Sequence, residues 1–238
     1  QEEPPITGGF SIAYNIPRTS ESRRNGMKRG FDYSSLIGSG NPLKSYPQLY
    51  EAAVNEFSMK KYEEASLNDI LKNSGMSKGS FYYHFGDKFG LYLAMMDIIT
   101  NKKLSYFYPA VQERAGESGF FDTLKDIMKG TMDFMLADER LYHLLNRVLE
   151  EDESLRSRMA EFFPYDNERF FSEYIKRAKE SGEIDSSCDE DFIAKLIMII
   201  FSNIHKLIEN KTPNELLKTA NQVLDIIRFG ISRSAEGE

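Results

Sequence analysis

A single cysteine, Cys188, stands in 238 residues, so no intrachain disulfide can form and nothing points to an oxidising compartment. The three histidines, His84, His143 and His205, are far apart. No acid–base pair, nucleophile or metal-ligand set falls at a recognisable spacing, which argues against an enzyme and against any cofactor. The longest strongly apolar run, Leu196 to Phe201, is far shorter than the ~20 residues needed to cross a bilayer. With no signal-peptide core visible, a soluble cytoplasmic protein is expected. Strand-type alternation and internal repeats are also absent. What remains is 41% hydrophobic content at helical spacing, enough for one small and one larger all-α domain.

Positive charge is scarce too, the net charge being −7. Its distribution is uneven: residues 1–43 carry five basic and four acidic side chains, residues 44–88 six of each, and residues 89–238 nineteen basic and 27 acidic. A nucleic-acid partner would therefore be held by a local patch on a dimer rather than by a broad positive field.

Such a patch is legible between Ser66 and Leu91. Ser66 caps a short helix with Leu67, Ile70 and Leu71 inward and Asp69 in the reciprocal position of a capping box. Gly75 supplies the left-handed turn, Met76 packs into the corner, and Ser77 caps a second helix. In that helix Phe81 and Phe85 share the core side, while Gly79 and Tyr83 point away, flanked by Ser80 and Tyr82, with Lys78 in the first turn and His84 at the edge. This mixture, together with Ser66 and Ser77 at the helix starts, suits a phosphate backbone and base edges: glycine admits close approach, and hydroxyl, imidazole and ammonium groups donate. Asp87 caps a third helix and places Lys88 where it would hold one more phosphate.

Ser-x-x-Asp-Ile, Ser-Gly-Met-Ser-Lys-Gly-Ser-Phe-Tyr-Tyr-His-Phe and Asp-Lys-x-x-Leu, with Leu49, Ala52, Ala53 and Phe57 before them, resemble the DNA-binding domain of the tetracycline-repressor-like (TetR) family of bacterial regulators over roughly residues 46 to 91. Two positions depart from that pattern. Lys61 replaces the usual glycine before Tyr62, which would reshape the link between the first two helices. Phe89-Gly90 replaces an acidic pair, which would loosen the start of the third helix. The resemblance implies an all-α protein with an N-terminal three-helix domain containing a helix-turn-helix, and a larger helical C-terminal ligand-binding and dimerisation domain.

Residues 1–43 lack helical periodicity and read as an irregular extension. Alternatively, Arg18, Arg23, Arg24, Lys28 and Arg29 form an arm tracking a minor groove. The reading domain is assigned to 44–91 and the second domain to 92–234. Helices are expected at 46–59, 87–108 (ending at Pro109), 120–137, 139–149, 154–181 (split by Pro164), 189–209 and 213–232. The last two carry more apolar residues than one face needs, so Leu196, Ile200, Ile204, Leu217, Leu224 and Ile227 are assigned to a homodimer interface, the alternative being that they complete the core of one subunit. The resemblance implies a four-helix bundle across a two-fold axis, presenting two recognition helices to a near-palindromic operator in double-stranded DNA.

The middle helices are rich in Met and aromatic residues. Met95, Tyr106, Met128, Met132, Met135, Phe163, Phe170 and Tyr174, with Tyr142, His143 and Asn146 as polar anchors, are either core or the lining of an adaptable apolar cavity. In the resembling family such a cavity takes a small-molecule effector, which implies a repressor released from its operator by ligand. The rival reading is a DNA-bound protein switched by a protein partner.

Overall fold

A computed structural model of the chain describes residues 31–113, 119–163, 167–207 and 212–231. The basic residues 18 to 29 lie outside the described residues. Among the described residues ten α-helices are found: α1 (Pro47–Met59), α2 (Leu67–Ser74), α3 (Lys78–Phe85), α4 (Lys88–Glu113), α5 (Phe120–Ala137), α6 (Glu139–Glu150), α7 (Glu153–Ala160), α8 (Asn167–Glu180), α9 (Glu190–Asn203) and α10 (Pro213–Ile231). No strand occurs among the described residues. None of their helices is long and apolar enough to cross a membrane. α4 runs through Pro109 instead of ending there. The expected break in the 154–181 segment falls between α7 and α8, around Pro164, which is itself outside the described residues.

Two compact units form. Of the described residues, the first takes 31–98 together with 150–163, and the second takes 99–149 and 167 onward. The first is therefore larger than the 44–91 segment. In the first unit, Leu49, Ala53, Val54 and Phe57 of α1, Ile70 of α2, Phe81 and Phe85 of α3, and Phe89 to Leu93 of α4 are buried together. Edge-to-face rings knit the centre, Tyr92 lying 4.9 Å from Phe57 and 5.2 Å from Tyr62, a geometry aromatic quadrupoles favour. Glu56, buried on α1, accepts from the Ser66 N–H at 2.8 Å and from Lys60 Nζ at 2.6 Å. The capping box is thus only half formed: Ser66 Oγ accepts from the Asp69 N–H, but the Ser66 N–H goes to Glu56 instead of Asp69.

Residues 31–45 are an integral part of this unit, which corrects their assignment to a loose extension. They form three short 3-10 turns, at Tyr33–Leu36, Gly38–Gly40 and Pro42–Ser45, too brief to print a helical period. Leu36 and Leu43 are buried. Asp97, fully buried on α4, accepts from Asn41 Nδ2 at 2.9 Å and from the Gly38 N–H at 3.2 Å. Tyr33 donates to Asp87 Oδ2 at 2.6 Å.

The two departures now have reasons. Phe89 is buried beneath the guanidinium of Arg158, 3.6 Å from its ring, and meets Tyr33 edge-on at 5.4 Å. At Gly90 a Cβ would stand 1.9 Å from the Phe85 carbonyl oxygen, so no other residue fits. The Gly90 N–H also donates to Asp87 Oδ1 at 2.9 Å, so the helix start is capped and closely packed rather than loosened. From α7's end of the sequence, Glu151 accepts from the Tyr62 N–H at 2.8 Å, closing the link in which Lys61 stands.

In the second unit α10 packs on α5 and α9 on α8. Its core gathers Phe121, Leu124, Met128, Ile175, Ile184, Ile193, Ile197, Ala220 and Leu224. Glu183 caps α5, accepting from the Phe120 N–H at 2.6 Å, and Lys125 of α5 bridges to Asp225 of α10 at 2.7 Å.

Leu36→Ala tests the place of the N-terminal turns. A leucine in a loose extension would cost within ±0.5 kcal/mol, whereas burial in this core predicts a loss of about 2–5 kcal/mol in urea unfolding.

Candidate nucleic-acid interface

Gly75 turns the chain between α2 and α3 with φ 70° and ψ 10°. A Cβ there would meet nothing within 4 Å, so the backbone angle alone selects glycine. Ser77 caps α3, its Oγ accepting from the Ser80 N–H at 3.2 Å. The Phe81 and Phe85 rings, both fully buried and 5.6 Å apart, fix the roll of α3 about its axis. That roll leaves Lys78, Gly79, Tyr82 and Tyr83 exposed, Tyr83 to 80% and Tyr82 to 52%. Two neighbouring tyrosines in water do nothing for folding, and α3 is too short to need them for solubility. As rigid rings with a hydroxyl tip, they suit a phosphate and sugar surface.

Gly79 carries the sharper information. Its φ is not left-handed, and a Cβ would meet nothing within 4 Å. Glycine inside a helix costs about 1 kcal/mol relative to alanine, and nothing in the subunit's own packing requires it. The space is on the outside, where a partner's backbone would come close.

Other predicted contacts are placed differently. Ser66 and Ser77 spend their hydroxyl oxygens on helix caps, and Ser80 is half-buried. His84 is also half-buried, its Nε2 2.9 Å from the Tyr46 hydroxyl, so one ring nitrogen is held within the unit. Tyr46, ahead of α1, was not evident in the sequence as a member of this surface, because its link to His84 spans 38 positions. Lys88 requires a correction. Its ammonium donates to the carbonyls of Tyr62 at 2.6 Å, Ala65 at 3.1 Å and Glu63 at 3.2 Å. All three N–H donors are used, and the cation sits 4.6 Å from the Tyr62 ring centre. Lys88 holds the α1–α2 link and has no donor left for phosphate. Burial, with a smaller contribution from Asp87, pushes the Tyr62 phenol up to about 12, so it remains a neutral hydroxyl beside that cation.

In the second unit, Met128 and Met132 are core residues and Met135, Tyr142 and Tyr174 pack against the core's edge. The Tyr142 hydroxyl is buried with no hydrogen-bond partner. Tyr106 is 38% exposed and meets Phe134 edge-on at 5.4 Å. Asn146 is half-buried, and His143 is exposed, 3.6 Å from Glu139. Met95 and Phe163 belong to the first unit, which separates them from the other members of the set. The side chain of Phe170 lies outside the described residues.

Of the six interface assignments, Ile204, Leu224 and Ile227 are buried in the subunit's own core, which corrects their placement on an outer face. Leu196, Ile200 and Leu217 are half-buried. The outward apolar positions are Phe192 at 63%, Ile199 at 63%, Leu207 at 63%, Ile226 at 71% and Phe229 at 84% exposure. Both helices carry apolar residues on two stripes, and periodicity alone does not say which stripe faces inward.

Residues 49–95 match the family model described as bacterial regulatory proteins, tetR family. Among curated proteins, the chain is 23% identical over 159 residues to the uncharacterized HTH-type transcriptional regulator YvdT of Bacillus subtilis, covering 66% of this chain and 79% of that protein. It is 28% identical over 123 residues to the HTH-type transcriptional repressor AcnR of Corynebacterium efficiens, covering 52% of this chain and 57% of that one. Among solved structures, a putative TetR-family transcriptional regulator from Syntrophomonas wolfei aligns with a TM-score of 0.62 at 18% identity, over 79% of this chain and 96% of that one. The transcriptional regulator FadR from Bacillus subtilis, in complex with stearoyl-CoA, aligns at 0.60 and 17% identity, over 78% and 99%. The solved structures show a shared fold.

Two substitutions separate binding from folding. Gly79→Ala should raise stability by about 0.5–1 kcal/mol while weakening DNA binding at least tenfold in a gel-shift titration; unchanged binding would remove Gly79 from the interface. Lys88→Ala should lower stability by about 1–3 kcal/mol in thermal unfolding, since it strands three carbonyls, and should leave the salt slope of DNA binding unchanged.

Proposed function

Because this chain belongs to the tetR family of bacterial regulatory proteins, we propose that it is a repressor that binds a near-palindromic operator as a homodimer and leaves it when a small molecule occupies the second unit. The observation that carries the DNA-reading part is the outward face of α3, where Tyr82, Tyr83 and Lys78 surround a glycine that the fold does not require. Lys78 reaches a base edge or phosphate, the tyrosine hydroxyls donate to phosphates, and Gly79 lets the helix lie close in the major groove.

The outer stripes of α9 and α10 support dimerisation. Phe192 and Ile199 lie seven apart on one helix, and Ile226 and Phe229 three apart on the other, so each pair shares a helical face. Water-exposed rings and branched chains in such number suit a self-complementary two-fold interface. Two subunits joined there would offer two α3 helices to half-sites about 34 Å apart.

Release by a small molecule is supported by the buried, unpartnered Tyr142 hydroxyl beside the Met128 and Met132 core, and by relatives that include a repressor and an acyl-CoA-bound regulator. Helix α4 follows α3 after a two-residue link and continues into the second unit as far as Glu113, so it is the covalent element through which occupancy of one unit would bias the other. A hundredfold preference of the effector for the DNA-incompetent state corresponds to about 2.7 kcal/mol of coupling.

Selection of bound fragments from a genomic pool at near-physiological salt tests the proposal. Recovery of a near-palindrome is expected from the wild type, and an Ile226→Asp/Phe229→Asp double variant should sediment as a monomer and recover none. Single half-sites, or a dimer that survives both aspartates, would overturn the dimeric reading.

A further inference from the structure

Tyr46 stands at the start of α1 with its backbone fixed on both sides. Its N–H donates to the Leu43 carbonyl at 3.0 Å, and its carbonyl accepts from the N–H groups of Leu49 and Tyr50, each at 3.0 Å. Its ring is half-buried and meets Phe85 edge-on, with centroids 6.2 Å apart. Phe85 is itself fully buried, so the phenol is held in place, and its hydroxyl lies 2.9 Å from Nε2 of His84. That hydroxyl makes no cap bond to α1. Among the described residues it has no hydrogen-bond partner besides His84.

His84 lies on the rim of the outward face of α3. Ser80 and His84 are four apart and both half-buried, so they form the stripe between the buried Phe81 and Phe85 and the exposed Gly79 and Tyr83. The exposed Tyr83 ring stands edge-on to the imidazole at 4.9 Å. The two nitrogens of an imidazole project in nearly opposite directions, so with Nε2 turned to Tyr46 the Nδ1 atom is directed away from it. Nδ1 has no hydrogen-bond partner among the described residues.

The tautomer of this ring decides what it can do. A phenol is a stronger acid than a neutral imidazole, and an imidazole nitrogen is a stronger base than a phenol oxygen, so Tyr46 donates and Nε2 accepts. The imidazole proton is then on Nδ1, because the bond made by one nitrogen sets the state of the other. The opposite tautomer would turn a lone pair outward, which a phosphate oxygen repels. We propose that Tyr46 is a positioning residue for DNA binding: its hydroxyl holds the His84 imidazole as the Nδ1–H tautomer, and that N–H donates to a backbone phosphate. Tyr46 does not itself touch DNA in this arrangement, and it lies ahead of residues 49–95, which match the family model. The proposal rests on the DNA-reading assignment of α3 above.

Phosphate contacts are independent of sequence, so the test needs no known operator. Affinity of the full chain for a short fluorescent duplex of mixed sequence is measured by anisotropy at low salt and about pH 8, where an unperturbed imidazole is neutral. Tyr46→Phe keeps the ring against Phe85 and removes the hydroxyl; it should weaken binding about tenfold, the scale of a lost bond to a charged acceptor. His84→Gln puts an amide at the place of Nε2, within reach of Tyr46, and should bind as weakly as Tyr46→Phe. His84→Asn puts an N–H at the place of Nδ1, out of reach of Tyr46, and should stay within about threefold of the wild type. Adding Tyr46→Phe to His84→Asn should change nothing further. Nitrogen NMR of histidine-labelled protein, with the His84 signals identified by their loss in His84→Asn, should show the proton on Nδ1 in the wild type and on Nε2 in Tyr46→Phe. A tyrosine that serves only the fold would weaken binding equally in the wild-type and His84→Asn backgrounds and leave the tautomer unchanged. Either result would overturn the proposal. A wild type that does not bind the duplex would overturn the DNA-reading face and the proposal together, whereas affinity that every variant keeps would remove only the role of Tyr46.

Discussion

Everything the first unit presents to a partner depends on the burial of Phe81 and Phe85 on one side of an eight-residue helix. Two rings four residues apart can be buried only at one rotation of α3, and that rotation decides which side chains meet solvent. Around it the unit builds a rigid frame: the caps at Ser66 and Ser77, the left-handed turn at Gly75, and the three carbonyls gathered by Lys88. Rigidity matters because a recognition helix displaced by about 1 Å loses the geometry of its hydrogen bonds.

The second unit follows a different logic. Its core is completed by ordinary apolar packing, yet it carries a buried hydroxyl on Tyr142 without a hydrogen-bond partner. A sequence optimised for stability alone would have placed an apolar ring of similar size there.

Much of this was legible in the sequence, and the parts that were not share a cause. The boundaries of α1 to α3, the turn at Gly75, the split near Pro164 and the exposure of Tyr82 and Tyr83 all follow from local spacing and capping residues. The misplaced residues are those whose partners are far along the chain. Lys88 reaches back 23 to 26 positions, Asn41 meets Asp97 across 56, and Glu151 meets the Tyr62 amide across 89. No periodicity records such pairs. The same holds for Ile204, Leu224 and Ile227, where the pattern marked them as apolar on helices but the choice of inner stripe belongs to α5 and α8.

The small α7 segment carries a consequence for how this chain could be recombined. Residues 150–163 supply Glu151 to the Tyr62 amide and Arg158 to the Phe89 ring, so the first unit is assembled from two stretches with residues 99–149 of the second unit threaded between them. A chimera joined at the end of the helix-turn-helix would leave a buried amide without its acceptor and an aromatic face without its cation. The second unit of this chain is therefore exchangeable only together with the 150–163 stretch that completes the first, which ties the two into one heritable module.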